Sequence, residues 1–247
     1  AFRGSAYALA DQEDRLWRLV RRKYLQGNYV TQLEWLSHGW LDDRTAYLRI
    51  RAMAAFSLYE RAGPLEELPR LDAAMERIVE DVAEAERLVI DLRYNSGGED
   101  LLARRIAEYF TDQPRHAYSK AARVGDEHSD PVRFRIEPAG EKVFKRPIVV
   151  LVNGATVSAA EIFLLCMEAL PHVRFVGESS AGAYSDMLGK RLPNGWTFWL
   201  SNEVYFNHQG QVYEGRGQPP DIEAPLTRED LETGRDVALE TAMALED

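Results

Sequence analysis

The chain has 247 residues, a formal charge of −10 and one cysteine, Cys166. That length fits one large domain or two small ones, and either buries a core without disulfide staples. The acidic balance argues against a general nucleic-acid binder or an anionic membrane surface, a lone cysteine excludes an internal disulfide or a cysteine-rich metal site, and no apolar run approaches the roughly 20 residues of a membrane span.

Leu9, Leu16, Trp17, Leu19, Val20 and Tyr24 are spaced as on an amphipathic helix that Gly27 and Asn28 end. Residues 28–45 read as irregular, although Trp35, Leu36, Trp40 and Leu41 need burial. Ala46 to Ile50 alternates like a strand. A helix over 65–86 presents Leu68, Leu71, Met75, Ile78, Val79 and Val82 on one face. Leu88 to Leu92 is the short apolar run of a strand covered on both sides, and a helical pattern follows from Glu99 to Phe110. The polar, proline-punctuated stretch 112–147 predicts short strands and loops. Ile148 to Asn153 is a second buried strand, followed by a helix from Val157 to Ala169 and a strand from Val173 to Val176. Residues 185–213 alternate repeatedly about a turn at Pro193-Asn194-Gly195, which predicts antiparallel strands, and 227–245 finish as helix. This order predicts an α/β layered core with parallel strands joined by crossover helices. The expected organisation is an N-terminal helical extension and lead-in over 1–44 and one core domain over 45–247. No targeting segment is visible. The opening residue is Ala1 rather than Met, as in a processed or trimmed chain, and both a cytoplasmic and an exported location fit.

Two strand-to-helix turns can carry chemistry. After the first buried strand comes Asp91-Leu92-Arg93-Tyr94-Asn95-Ser96-Gly97-Gly98. Paired glycines there reach backbone conformations closed to other residues and expose N–H groups at a helix start, where an oxyanion is stabilised. After the second comes Asn153-Gly154-Ala155-Thr156-Val157-Ser158-Ala159-Ala160-Glu161. Ser158 lies in the first turn of a helix, within its positive field, and the Ala159 amide can point at the same reacting oxygen. The plainer reading makes Thr156 or Ser158 a helix cap.

Together these turns resemble the tail-specific (C-terminal-processing) serine peptidases and their tricorn relatives. That pattern is Asp-Leu-Arg-x-Asn-x-Gly-Gly followed some 50–60 residues on by Asn-Gly-x-Thr-x-Ser-Ala-x-Glu. Gly177-Glu178-Ser179-Ser180-Ala181-Gly182, Leu192-Pro193-Asn194-Gly195 and Glu214-Gly215-Arg216-Gly217-Gln218-Pro219-Pro220-Asp221-Ile222 are further matches in order, and the resemblance covers about residues 45–225. It implies a ClpP-like or crotonase-like α/β core. It also implies Ser158 as nucleophile, the Gly98 and Ala159 amides as oxyanion hole, Gly97 and Asn95 beside the substrate, a peptide or protein substrate, no metal or cofactor, and frequent homo-oligomers.

The base is harder to place. Where one branch of the family has a lysine, this chain has Ala183, which excludes the Ser–Lys dyad; Lys190 reads as a solvated strand residue. The tricorn-like branch uses a histidine supported by a glutamate, and Glu214 fits the glutamate. No Asp-Gly-His-Thr-like stretch occurs, so the candidates are His38, the only upstream histidine, or a histidine outside the chain. His116, His128 and His172 read as surface residues and His208 as part of a hairpin turn. The PDZ insertion of many members is absent, so the expectation is a PDZ-less catalytic core lacking its N-terminal domain. Two other readings are an inactive member that binds peptides or small hydrophobic ligands, as the similar photoreceptor-matrix retinoid-binding proteins do, with Trp196, Phe198, Trp199, Tyr205 and Phe206 lining a pocket, and an acyl-CoA enzyme, which the Ser158 and Glu214 segments disfavour.

Overall fold

A computed structural model describes residues 6–54 and 63–245. Helix α1 (Ala6–Leu19) runs into a π-turn over Val20–Tyr24. The main sheet then begins with β1 (Tyr29–Leu33), β2 (Leu36–Trp40) and β3 (Thr45–Ile50), and continues with β4 (Arg87–Asp91) after helix α2 (Pro64–Asp81). Proline at the first turn of α2 sacrifices no hydrogen bond, and Leu71, Ala74, Met75 and Ile78 make its buried stripe. Helix α3 (Asp100–Ala107) follows, tightening into a 3₁₀ turn at Glu108–Phe110. Next come β5 (Arg115–Val124), β6 (Glu127–His128), β7 (Val132–Ile136) and β8 (Ile148–Val152). Helix α4 (Ala159–Glu168), β9 (Val173–Gly177), β10 (Met187–Arg191), β11 (Thr197–Ser201), β12 (Glu203–Asn207), β13 (Ile222–Glu223), α5 (Arg228–Thr233) and α6 (Val237–Ala244) complete the described chain.

The main sheet has the order β1-β2-β3-β4-β8-β9-β13. The pairs from β3 to β13 are parallel, and β1, β2 and β3 are joined antiparallel. Period-two alternation sorts its side chains into two cores. Leu88, Ile90, Ile148, Val150, Val152 and Phe175 face the layer that holds α2, α3 and α4. Tyr47, Val89, Val149, Leu151 and Val176 face Leu16 and Val20 from the N-terminal helix and Leu239 and Ala242 from α6. The result is a three-layer α/β/α core with a mostly parallel sheet. Residues 29–40, read as irregular, form two strands of this sheet. β2 is buried on both faces, so it shows no alternation.

Two smaller β units stand outside this sheet, one of them packing Ala117, Tyr118, Ile136 and Tyr205 into the same core. β5 pairs antiparallel with β12, β7 and β6, and Tyr118 stacks between Phe134 and Tyr205 there. β10 and β11 form a separate hairpin whose ten strand residues are all exposed. The hairpin itself was expected; its exposure was not. Trp196, Phe198 and Trp199 project into solvent instead of lining an apolar pocket.

Candidate active site

Asp91 is the last residue of β4, and the turn after it is held from within. Arg93 donates to both oxygens of Asp91 (2.9 and 2.6 Å) and both of Asp236 (2.7 and 2.8 Å), and Tyr47 donates to Asp91 (2.7 Å). All of these groups are buried. The two carboxylates outweigh the cost of burying the guanidinium and raise the Arg93 pKa, and Arg93 in turn holds Asp91 below its ordinary value despite burial. Asn95 is also fully buried. Its amide donates to the Ile50 carbonyl (2.8 Å) and accepts from Gly97 N–H (2.9 Å). Expected beside substrate, Asn95 has its side chain tied to β3 and to Gly97.

The second turn is tied to the first. Asn153 Oδ1 accepts from Tyr94 N–H (3.1 Å), Thr156 Oγ1 donates to the Leu92 carbonyl (3.0 Å), and Val157 N–H donates to the Asn95 carbonyl (3.1 Å). The two segments meet at Gly97. A Cβ built there would lie 2.7 Å from Ser158 Cβ and 2.7 Å from the Val157 carbonyl, at a φ of +84°. Gly98 forms a parallel bridge with Met53 through the flanking Gly97 carbonyl and Glu99 N–H. In such a bridge the central residue's own N–H points away from the partner strand. Ala159 is the first residue of α4, where an N–H has no intrahelical acceptor.

Ser158 stands half-buried between them at φ 61°, ψ −129°, an unusual conformation for a residue with a side chain. It is also the N-cap of α4, so the cap and nucleophile readings describe one residue. Glu161 closes the cap: its carboxylate accepts from Ser158 N–H (3.1 Å), Ala183 N–H (2.9 Å), Gly182 N–H (2.7 Å) and Ser180 Oγ (2.6 Å). Burial nevertheless leaves its pKa raised. Glu161 has no role among the expectations read from the sequence. The signal was its position three residues after a helix-capping serine. Glu214 belongs to the same neighbourhood. It accepts from Tyr184 N–H (2.8 Å) and Ser185 N–H (3.1 Å), directly after the exposed Ala183.

The histidines lie elsewhere. His38 is in the middle of β2, with 3% of its surface exposed and Nε2 hydrogen-bonded to Asp81 at the end of α2 (2.9 Å). β2 is separated from β8 by β3 and β4, three strand spacings or about 14 Å. His116 bonds to Ser119 and Tyr118 within β5, His128 is exposed in β6, and His208 lies beside Gln209. His172 is half-buried, which lowers its pKa. Among the described residues no hydrogen bond joins the Ser158 hydroxyl to a histidine or a lysine. Lys190 is an exposed residue of β10.

A serine at a strained strand-to-helix turn packs against a diglycine on a mostly parallel α/β sheet, an arrangement that a serine-type hydrolase can use. The comparisons make this specific. Residues 44–224 match the model of peptidase family S41, and the chain belongs to that family of serine peptidases. It is 28% identical over 145 residues to the nisin-resistance protein of Lactococcus lactis subsp. lactis, covering 55% of this chain and 45% of that protein. It is 29% identical over 151 residues to a carboxy-terminal-processing protease of Bartonella bacilliformis, covering 61% and 34%. The chain thus spans less than half the length of either. Among solved structures it is similar to a protein of Parabacteroides merdae ATCC 43184 described as a peptidase (TM-score 0.76, 25% identity, 94% of this chain and 71% of that one). It shares its fold with the tricorn protease at a TM-score of 0.55 and 18% identity, over 94% of this chain and 18% of that one. No helix of the described residues is long and apolar enough to cross a membrane.

Proposed function

We propose that this chain carries the nucleophile, oxyanion hole and supporting carboxylate of a serine endopeptidase of the tricorn-like kind. Ser158 attacks the scissile carbonyl. The amides of Gly98 and Ala159 stabilise the oxyanion, a contribution of about 3–4 kcal/mol per donor. The Gly97 backbone borders the substrate, and Asn95 and Glu161 orient the two turns. Glu214 supports the base. That base comes from outside the chain, because His38 is committed to Asp81 inside the sheet. The observation that carries the reading is the packing of Gly97 directly on Ser158, which brings the two turns into one site. The hydrophobic-ligand reading loses its support, since three of its five aromatic residues project into solvent.

The test is reaction of the chain with a fluorophosphonate probe, in parallel with Ser158→Ala, at increasing imidazole concentration. Labelling at Ser158 that rises with imidazole and is absent from Ser158→Ala is the expected result. Stoichiometric labelling without imidazole that disappears in His38→Gln would return the base to His38. No labelling of the folded protein at any imidazole concentration would remove Ser158 as nucleophile.

A further inference from the structure

The end of the main sheet away from Ser158 carries a cavity of about 380 Å³ that no step of the proposed reaction uses. That volume lies within the range of small-molecule sites, about 300–1,000 Å³. The cavity opens where α6 stops, at Ala244. The sheet face that buries Val149 and Val176 against α6 continues past the end of the helix to Arg174, which pairs in register with Val149 and is exposed. Pro147, Val149, Ile222 and Leu245 give the lining its aliphatic part. Since β8 lies between β4 and β9, Arg87 on β4 and Arg174 on β9 flank that part from opposite sides. None of the aromatic residues of the β10–β11 hairpin or β12 contributes.

The two cations differ in their commitments. Arg87 Nη1 donates to the Ala242 and Met243 carbonyls at the end of α6 (3.3 and 3.4 Å). The Arg174 guanidinium has no hydrogen bond or ion pair among the described residues. The carboxylate of the lining, Asp221, is spent on β9: it accepts from Phe175 N–H (2.7 Å), and its own N–H donates to the Phe175 carbonyl (2.9 Å). The lining thus holds two arginines against one carboxylate, in a chain of net charge −10. Its backbone offers little to a peptide, because β4, β8 and β9 pair with one another here, and an amide buried without a partner is costly. An aliphatic floor beside an uncommitted guanidinium suits an acid whose only polar group is its carboxylate. We infer that this cavity is a binding site for a small monocarboxylate with an aliphatic chain. The carboxylate sits on Arg174, within the positive field of Arg87, and the chain lies along Pro147, Val149, Ile222 and Leu245. β8 runs from this cavity at Ile148 to the candidate active site at Asn153, about 17 Å of strand, so a ligand here leaves Ser158 uncovered.

Titration of the isotope-labelled chain with octanoate, followed by amide and arginine Nε–H chemical shifts, tests this without reference to peptidase activity. Saturable binding is expected, with the shifts centred on Val149, Arg174 and Ile222. Arg174→Gln is expected to weaken it at least tenfold, Arg174→Lys by less than that, and octanamide is expected to bind the parent chain at least tenfold more weakly than octanoate. Arg174 is exposed, so neither variant disturbs the core. No saturation at millimolar octanoate, shifts centred on the β10–β11 hairpin, an affinity indifferent to Arg174→Gln, or equal binding of octanamide would each overturn the inference. So would tighter binding of acetyl-alanyl-leucine than of octanoate, which would give the cavity to a peptide C-terminus instead.

Discussion

Ser158 is held away from ordinary backbone geometry by neighbours that leave it little choice. A non-glycine residue at φ 61°, ψ −129° costs about 1–3 kcal/mol. The opposing restraint is the Glu161 carboxylate, with its four donors from two segments, Ser158 and residues 180–183. Glu161→Gln keeps the shape but turns an N–H₂ group toward backbone N–H donors. Since hydrogen bonds to charged groups contribute about 1.5–3 kcal/mol each, we expect a loss of about 2–4 kcal/mol in urea unfolding, together with slower fluorophosphonate reaction at Ser158. Unchanged stability would show that Glu161 does not hold the turn. Gly97 answers to sterics alone. An added methyl would sit 2.7 Å from Ser158 Cβ, at a positive φ. Gly97→Ala is expected to cost about 1–3 kcal/mol from overpacking and to abolish labelling at Ser158; a fully reactive variant would mean that the two turns need not touch.

The element that fixes the first turn comes from the far end of the chain. Asp236 caps α6, accepting from Leu239 N–H (3.1 Å), and binds Arg93 through both oxygens. Asp236→Ala leaves half of the Arg93 charge unpaired in a buried place and removes a helix cap. Breaking one side of a buried ion pair costs about 3–5 kcal/mol, so the melting temperature should fall by several degrees or more; a shift under one degree would show that Asp91 alone suffices. The sequence made Arg93 visible, because it sits in a recognisable turn, but Asp236 looked like any acidic residue near a terminal helix. A partner 143 positions away leaves no local periodicity to read. Elements that carry a continuous apolar run or repeat along one helix face were legible: the strands around Val89, Val150 and Phe175, and the helix around Met75. β2 was not, because Ser37, His38 and Gly39 interrupt its apolar residues, so it shows neither a continuous apolar run nor alternation. The β10–β11 hairpin was legible as a hairpin, but its aromatic residues suggested burial. Alternation reports which side chains share a face, not whether that face meets the core.

At the scale of the molecule, the small β unit around β5 and β12 is joined to the main core partly through a titratable contact. Asp100, at the start of α3, accepts from the Tyr205 hydroxyl (3.0 Å), which also donates to Glu203 (3.0 Å). Burial, and then the neighbouring Asp186 charge, push the Asp100 pKa up to about 6. The sign follows from linkage. The folded pKa lies above the unfolded value of about 4, so the native state binds this proton more tightly than the unfolded chain does. The contribution of Asp100 to stability is fully present below pH 4 and is lost as pH rises to 6; above that, folding confines a carboxylate among like charges. Asp100→Asn replaces it with a neutral group that can still accept from Tyr205. We expect the variant to gain stability relative to the parent at pH 7.5, and to show a smaller gain or a loss at pH 4.5. Urea unfolding of both proteins at the two pH values measures this, and the difference between them cancels the titration of every other group. A gap that is constant with pH would mean that Asp100 ionises as it would in water, and that the contact between α3 and the β5–β12 unit is electrostatically neutral across this range.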